Sequence, residues 1–207
     1  MWFLTGTDTG VGKTYAACLI VRALRRAGLK AAGFKPICCG DRDDAIALQA
    51  AGDPAIPIND INPVWLRTPA APYTACVVEN RTLDLDLIRD RYRALRAQCD
   101  SVVVEGIGGW LVPLTAECSI ADLAAEFSLP VAVVVANRLG AINHTLLTVE
   151  NIRARGLTCA GLILNNLPDS TDDVASHTNR SVLEELTRLP ILFEIQARQR
   201  EIELTLA

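Results

Sequence analysis

No uncharged apolar run in this chain approaches the ~18 residues needed to cross a bilayer, and the first residues lack the basic start and apolar core of a secretory signal. The expectation is a soluble, cytoplasmic protein. An excess of positive charge is also missing: 20 Lys and Arg stand against 24 Asp and Glu, a net charge of −4. That removes any general attraction to nucleic acid or an anionic membrane and points to a small-molecule partner. Only two histidines are present, and the sequence offers no Ser-His-Asp set or covalent nucleophile; His144 reads as a structural hydrogen-bonder and His177 as a surface residue. The seven cysteines are odd in number, lack metal-ligand spacing and mostly sit in apolar runs, so neither a disulfide framework nor a zinc site is expected. Cys38 and Cys39, straight after Lys35-Pro36, read instead as small residues lining a pocket. With no repeats, low-complexity tracts or linker, residues 1–207 read as one domain.

What the chain does contain begins at once. Residues 1–4 read as a short buried strand that runs into Gly6-Thr7-Asp8-Thr9-Gly10-Val11-Gly12-Lys13-Thr14, where an apolar helix starts. The glycines let the backbone turn back with its N–H groups inward, and Lys13 opens a helix whose positive end faces the loop. In such loops backbone donors hold the inner phosphates of a nucleotide, the lysine reaches the transferred one, and the next hydroxyl binds Mg²⁺. Gly10, Val11, Gly12, Lys13 and Thr14 are therefore the expected triphosphate contacts. Five residues, not four, separate Gly6 from Gly12, and Thr7 stands where the general motif has glycine. The strand-turn-helix context is still the one the motif requires.

Further apolar runs at 31–34, 101–104, 131–135 and 160–164 read as strands buried on both faces. Helical patterns lie at 13–26, 43–51, 84–98, 119–127, 142–155 and 176–186. This alternation predicts an α/β fold of the P-loop NTPase type, a mostly parallel, doubly wound sheet flanked by helices. The stretch 54–72 is rich in Pro and Asn, too broken for regular structure, and long loops of that kind belong to a site. Ligands in such sheets lie beyond the carboxyl ends of the strands. Those ends deliver the phosphate loop, Lys35 to Gly40, Glu105-Gly106-Ile107-Gly108-Gly109, Asn137 to Gly140, and Asn165-Asn166.

Transfer of a phosphoryl group spreads negative charge that fixed cations must meet, and Lys13 and Lys35 are placed to do so. Mg²⁺ takes hard oxygen ligands. Glu105, directly after a buried strand, is one, and Asp44 is the second, although Asp43 fits the spacing as well.

At this point a resemblance appears. The phosphate loop, Lys-Pro-x-x-x-Gly from Lys35, Asp-Ala-x-Ala-Leu-Gln from Asp44, Val-Glu-Gly-x-Gly-Gly-Trp from Val104, Arg-Leu-Gly-x-Ile-Asn-His from Arg138 and Asn165-Asn166 occur in the order and spacing that resemble dethiobiotin synthetase. The longer phosphate loop is similar to that family's own spacing. The resemblance implies an ATP- and Mg²⁺-dependent ring closure: 7,8-diaminononanoate takes up CO₂ as a carbamate, the carbamate attacks the γ-phosphate, and the second amine closes a ureido ring. It further implies Mg²⁺ on Thr14, Asp44 and Glu105, and Lys35 and Lys13 as catalytic cations with Thr9 beside them. Substrate would lie against Thr9, Lys35, Cys39 and Gly108, with Gly106 and Ile107 lining the nucleotide and Asn165 and Asn166 at the base. The family is homodimeric, and the segment holding Gly140, Ala141 and Asn143 is implied to reach the partner's site. On sequence alone, Asn143 serves equally well as a cap of the 142–155 helix.

Several positions depart from the family pattern. Arg138 replaces a familiar lysine, 69–73 lacks the usual Ser and His, and Phe193-Glu194-Ile195-Gln196 stands where a proline-containing loop usually helps hold the base, so CTP fits as well as ATP. A switch ATPase of the partitioning type without ligase activity is the competing reading; such proteins carry an extra lysine early in the loop, where this chain has Asp8. Cys39 takes the place of a serine on the substrate. Cys39→Ser is expected to leave the steady-state rate of dethiobiotin formation at least as high, since it restores an oxygen donor, and a large loss would give the thiol a role of its own.

Overall fold

A computed structural model describes residues 1–166 and 174–204. In chain order these form β1 (Phe3–Gly6), α1 (Lys13–Arg26), β2 (Ala31–Phe34), β3 (Ile37–Cys39), α2 (Asp43–Ala51), α3 (Ile58–Ile61), β4 (Val64–Leu66), α4 (Pro72–Glu79), α5 (Leu85–Gln98), β5 (Ser101–Glu105), α6 (Ile120–Phe127), β6 (Val131–Ala136), α7 (Ala141–Ala154), β7 (Cys159–Asn165), α8 (Val174–Thr187) and β8 (Ile191–Ile195). Six of the strands make one sheet in the order β2-β5-β1-β6-β7-β8, every neighbouring pair parallel. Its centre is apolar on both faces because helices cover both, and every residue of β5 and β6 is buried. Among the described residues no helix is long and apolar enough to cross a membrane.

The strand order reverses at β1. The chain steps from β1 outward to β2, returns through β5, and then passes to β6 on the other side. Connections diverge there and leave a crevice at the carboxyl ends of β1, β5 and β6, into which the phosphate loop turns. Register then sets the neighbours: Phe34 pairs with Val104, so the next residues of the two strands, Lys35 and Glu105, emerge side by side.

Three parts of this architecture correct the sequence reading. The broken stretch 54–72 contains α3 and β4, and β4 pairs with β3 as a separate two-stranded parallel sheet. These elements are three or four residues long and carry no periodicity of their own. They are held by distant partners: the Lys35 amide donates to the Ile61 carbonyl at 2.8 Å, and the buried Asn62 amide donates to the Lys35 and Val64 carbonyls at 2.9 Å each. Helix α4 begins with Pro72 in its first turn, a favoured place for a residue without an N–H. Strand β8 is an edge strand whose middle three residues are only half-buried, so it lacks the continuous apolar run of the others.

Helix α2 lies close over the sheet at Gly33, where an added Cβ would sit 2.6 Å from Leu48 Cδ2 and 2.9 Å from Leu48 Cβ. Gly33→Ala is expected to destabilise the protein by about 1–3 kcal/mol through overpacking, seen as a lower urea midpoint. An unchanged midpoint would mean that α2 can shift without cost.

Candidate active site

The phosphate loop ends at Gly12, which has φ 90° and forms the N-cap of α1. No side chain caps this helix and no acidic residue lies in its first turn, so its N–H groups remain directed at the loop interior as an anion cradle. Lys13 is buried, and its Nζ donates to the Asp8 carbonyl at 2.9 Å. Burial, with Lys35 adding to it, pushes its pKa down to about 8. A phosphate, by supplying negative charge, would pull it back up.

Four groups converge beside it. Thr14 Oγ1 lies 2.7 Å from Asp44 Oδ1 and 2.7 Å from Glu105 Oε1. A hydroxyl has one proton, so it serves one carboxylate and turns a lone pair toward the other. Lys35 Nζ completes the set, donating to Asp44 Oδ2 at 2.8 Å, to Glu105 Oε1 at 2.5 Å and to the Gly106 carbonyl at 3.3 Å. Lys35 is 2% exposed and Glu105 0%. Burial works against the Lys35 charge, but Glu105 and Asp44 outweigh it and hold the pKa above that of a free lysine. Lys35 is thus a fixed cation and not a proton acceptor. Burial pushes the Glu105 carboxyl up while Lys35 pulls it back. Burial also opposes ionisation of Asp44, yet Lys35 and the Thr14 hydroxyl hold it below the usual carboxylate range. Glu105 Oε2 is buried without a hydrogen-bond partner among the described residues. Two carboxylates, a hydroxyl short of protons and an orphaned carboxylate oxygen suit a hard divalent cation such as Mg²⁺, which Thr14, Asp44 and Glu105 could hold.

These residues line a cavity of about 520 Å³, shared with Thr9, Gly10, Gly12, Cys38, Cys39, Ile107 and Gly108. Burial raises the thiol pKa of Cys38 to about 12 and of Cys39 to about 11, so both present neutral thiols. Asp44 rather than Asp43 faces Thr14. Asn165 donates to the Val11 carbonyl at 2.9 Å and so braces the loop from behind. Asn166 accepts from Asn137 at 2.7 Å and donates to Glu194 at 3.1 Å. Gly140, Ala141 and Asn143 lie outside this cavity. Gly140 is the N-cap of α7 with no side-chain cap, so Asn143 does not cap the helix and projects as an exposed residue. Two contributors escaped the sequence reading: Tyr15, which lines the cavity, and Asn62, which fixes the Lys35 backbone and is itself held by Arg42 Nε at 2.9 Å. The Asn62-Pro63 pair marks a turn and gives no sign of that long-range task.

Between pH 8 and the unfolded lysine range near 10.5, unfolded chains carry the Lys13 proton and folded ones do not, so this residue makes the free protein more stable as pH rises. Comparing urea midpoints of wild type and Lys13→Met across that window is expected to show wild type gaining on the order of 3 kcal/mol relative to the variant. A constant difference would mean that Lys13 keeps an ordinary pKa.

A family model described as an AAA domain matches residues 2–200. The chain is 50% identical over 194 residues to the ATP-dependent dethiobiotin synthetase BioD of Akkermansia muciniphila, covering 94% of this chain and 91% of that protein. It is 47% identical to the protein of the same name from Aromatoleum aromaticum, over 80% of this chain and 77% of that one. Among solved structures, a ParA family ATPase from Chlorobium tepidum superposes with TM-score 0.56 at 12% identity, covering 95% of this chain and 85% of that one. The septum site-determining protein MinD from Pyrococcus horikoshii does so with TM-score 0.54 at 15% identity, covering 94% and 80%. The last two likenesses show the fold alone, whereas identity of 50% and 47% over most of this chain makes it a member of the ATP-dependent dethiobiotin synthetase family.

Proposed function

We propose that this chain is an ATP-dependent ligase that closes the ureido ring of dethiobiotin from 7,8-diaminononanoate and CO₂. The observation that carries the proposal is the meeting of Thr14, Asp44, Glu105 and Lys35 at the mouth of the phosphate loop. One amine adds to CO₂ and loses a proton, giving a carbamate. A carbamate oxygen attacks the γ-phosphorus and expels ADP, and the second amine attacks the carbonyl carbon of the mixed anhydride, releasing phosphate. Both reactants of the phosphoryl step are anions, so the task is to neutralise and align them, worth up to ~10 kcal/mol when positioning is good.

The residues divide that task. The amides of Gly10, Val11 and Gly12 hold the inner phosphates, and Lys13 meets the transferred one. Lys35, a permanent cation, sits between carbamate and γ-phosphate, with Thr9 and the Gly108 backbone along the acceptor and Gly106, Ile107 and Gly108 beside the nucleotide. Mg²⁺ on Thr14, Asp44 and Glu105 would withdraw charge from the phosphate oxygens. Cys39 contacts the diamine as a neutral thiol donor, and Asn165 and Asn166 stand at the base end. In this reading the enzyme is a cytoplasmic homodimer, each chain a single domain, in which Gly140, Ala141 and Asn143 hold the carboxylate tail of the partner's substrate. The free N–H groups of α7 suit that tail, and seven free thiols suit a reducing compartment.

Incubation with diaminononanoate, bicarbonate, Mg²⁺ and each nucleoside triphosphate is expected to yield dethiobiotin and phosphate in equal amounts, with ATP or CTP as donor. Lys13→Met is expected to lower the rate by about 10²–10³-fold, as loss of a transition-state cation or donor does. Phosphate release without dethiobiotin for every nucleotide would reject the ligase assignment.

A further inference from the structure

We infer that Tyr15 is a specificity-determining residue of the nucleotide site: its ring is the surface on which the base stacks, and its hydroxyl ties that surface to the C-terminal segment. This rests on the nucleotide-binding part of the proposed function. Tyr15 lines the cavity together with Lys35, Cys38 and Cys39. It stands one residue beyond Thr14 in the first turn of α1, whereas Cys38 and Cys39 follow Lys35 on β3, where the phosphoryl acceptor belongs. With the inner phosphates on the loop amides and the terminal one at Lys13 and Lys35, the nucleoside leaves over the first turn of α1 and meets Tyr15.

Tyr15 is 37% exposed yet held at both ends, by α1 and by its hydroxyl, which donates to the Gln199 carbonyl. That carbonyl is fixed in turn. Gln199 Oε1 accepts from the Gln196 amide at 2.8 Å, its Nε2 donates to the Glu201 carbonyl at 2.7 Å, Arg26 donates to the Ile202 carbonyl at 2.8 Å, and Ile202 is buried. An aromatic surface immobilised beforehand loses less rotamer freedom when a base settles on it. Reading of the base edge, by contrast, is weak here. Asn165 spends an N–H on the Val11 carbonyl, and the acceptor oxygen it retains suits an exocyclic amine, which adenine and cytosine both carry. Ring area is what separates those two bases, and the larger purine gains more from stacking.

The test is direct binding of Mg²⁺-ATP, Mg²⁺-CTP and inorganic tripolyphosphate, by calorimetry and without diaminononanoate, to wild type, Tyr15→Ala and Tyr15→Phe. Tyr15→Ala is expected to weaken ATP about tenfold, the usual scale of a lost base–aromatic stack, to weaken CTP less, and to leave tripolyphosphate unchanged. Tyr15→Phe keeps the ring and is expected to keep the ATP-to-CTP ratio. An unaltered ratio in Tyr15→Ala, or a loss of tripolyphosphate affinity matching that of ATP, would overturn the inference. Wild type that binds no nucleotide would overturn this and the proposed function together, whereas wild type that binds nucleotide but makes no dethiobiotin would remove the ligase reading and leave these titrations decisive.

Discussion

A single ammonium group, that of Lys35, holds two carboxylates together, the fully buried Glu105 and the half-exposed Asp44. Glu105 has no solvent to screen it and would be expensive to ionise alone; Asp44 would repel it. The pairing is no simple gain in stability, because desolvating the partners offsets much of their attraction. Its value is geometric. The buried charges of Lys35 and Glu105 cannot relax into water and keep fixed positions, and a phosphoryl acceptor and donor, both anionic, need cations already in place.

Much of the remaining architecture serves to put that ammonium group where it is. Parallel pairing of β2 with β5 brings Lys35 and Glu105 out at one height. Asn62, buried and bonded on three sides, holds the Lys35 carbonyl and the small β3-β4 sheet in one arrangement. Close approach of α2 at Gly33 carries Asp44 over the end of β2 to face Thr14. Asn165 braces the phosphate loop through Val11, and the C-terminal segment contacts both ends of α1, at Tyr15 and at Arg26. The site is therefore a junction of distant segments, each held by its own polar contact.

The parts legible in the sequence are those whose signal is local. The phosphate loop was readable because its glycines, lysine and threonine act within nine consecutive residues, and five of the six central strands because burial on both faces leaves an unbroken apolar run. Helices α5 and α6 match the helical patterns at 84–98 and 119–127, and the structure adds their caps: Asp84 accepts from the Leu87 amide at 2.8 Å, and Ser119 forms a capping box with Asp122. By the same reasoning β3, β4 and α3 were illegible: their stability comes from partners 25 or so residues away, and their composition reads as loop. β8 failed for a different reason, since an edge strand needs fewer apolar residues.

Sequence by itself determined which chemical groups this protein has: a phosphate cradle, two lysines, a threonine and two carboxylates at the ends of predicted strands and helices, in an order that identifies the family. Tertiary structure alone decided how they stand toward one another. It chose Asp44 over Asp43, left Glu105 with one unpartnered oxygen, kept Lys35 charged, and recruited Asn62 and Tyr15. The physical reason is that identity and short-range pattern are written along the chain, whereas burial, the sign of a pKa shift and a convergence of charges depend on distances between segments that no local pattern encodes.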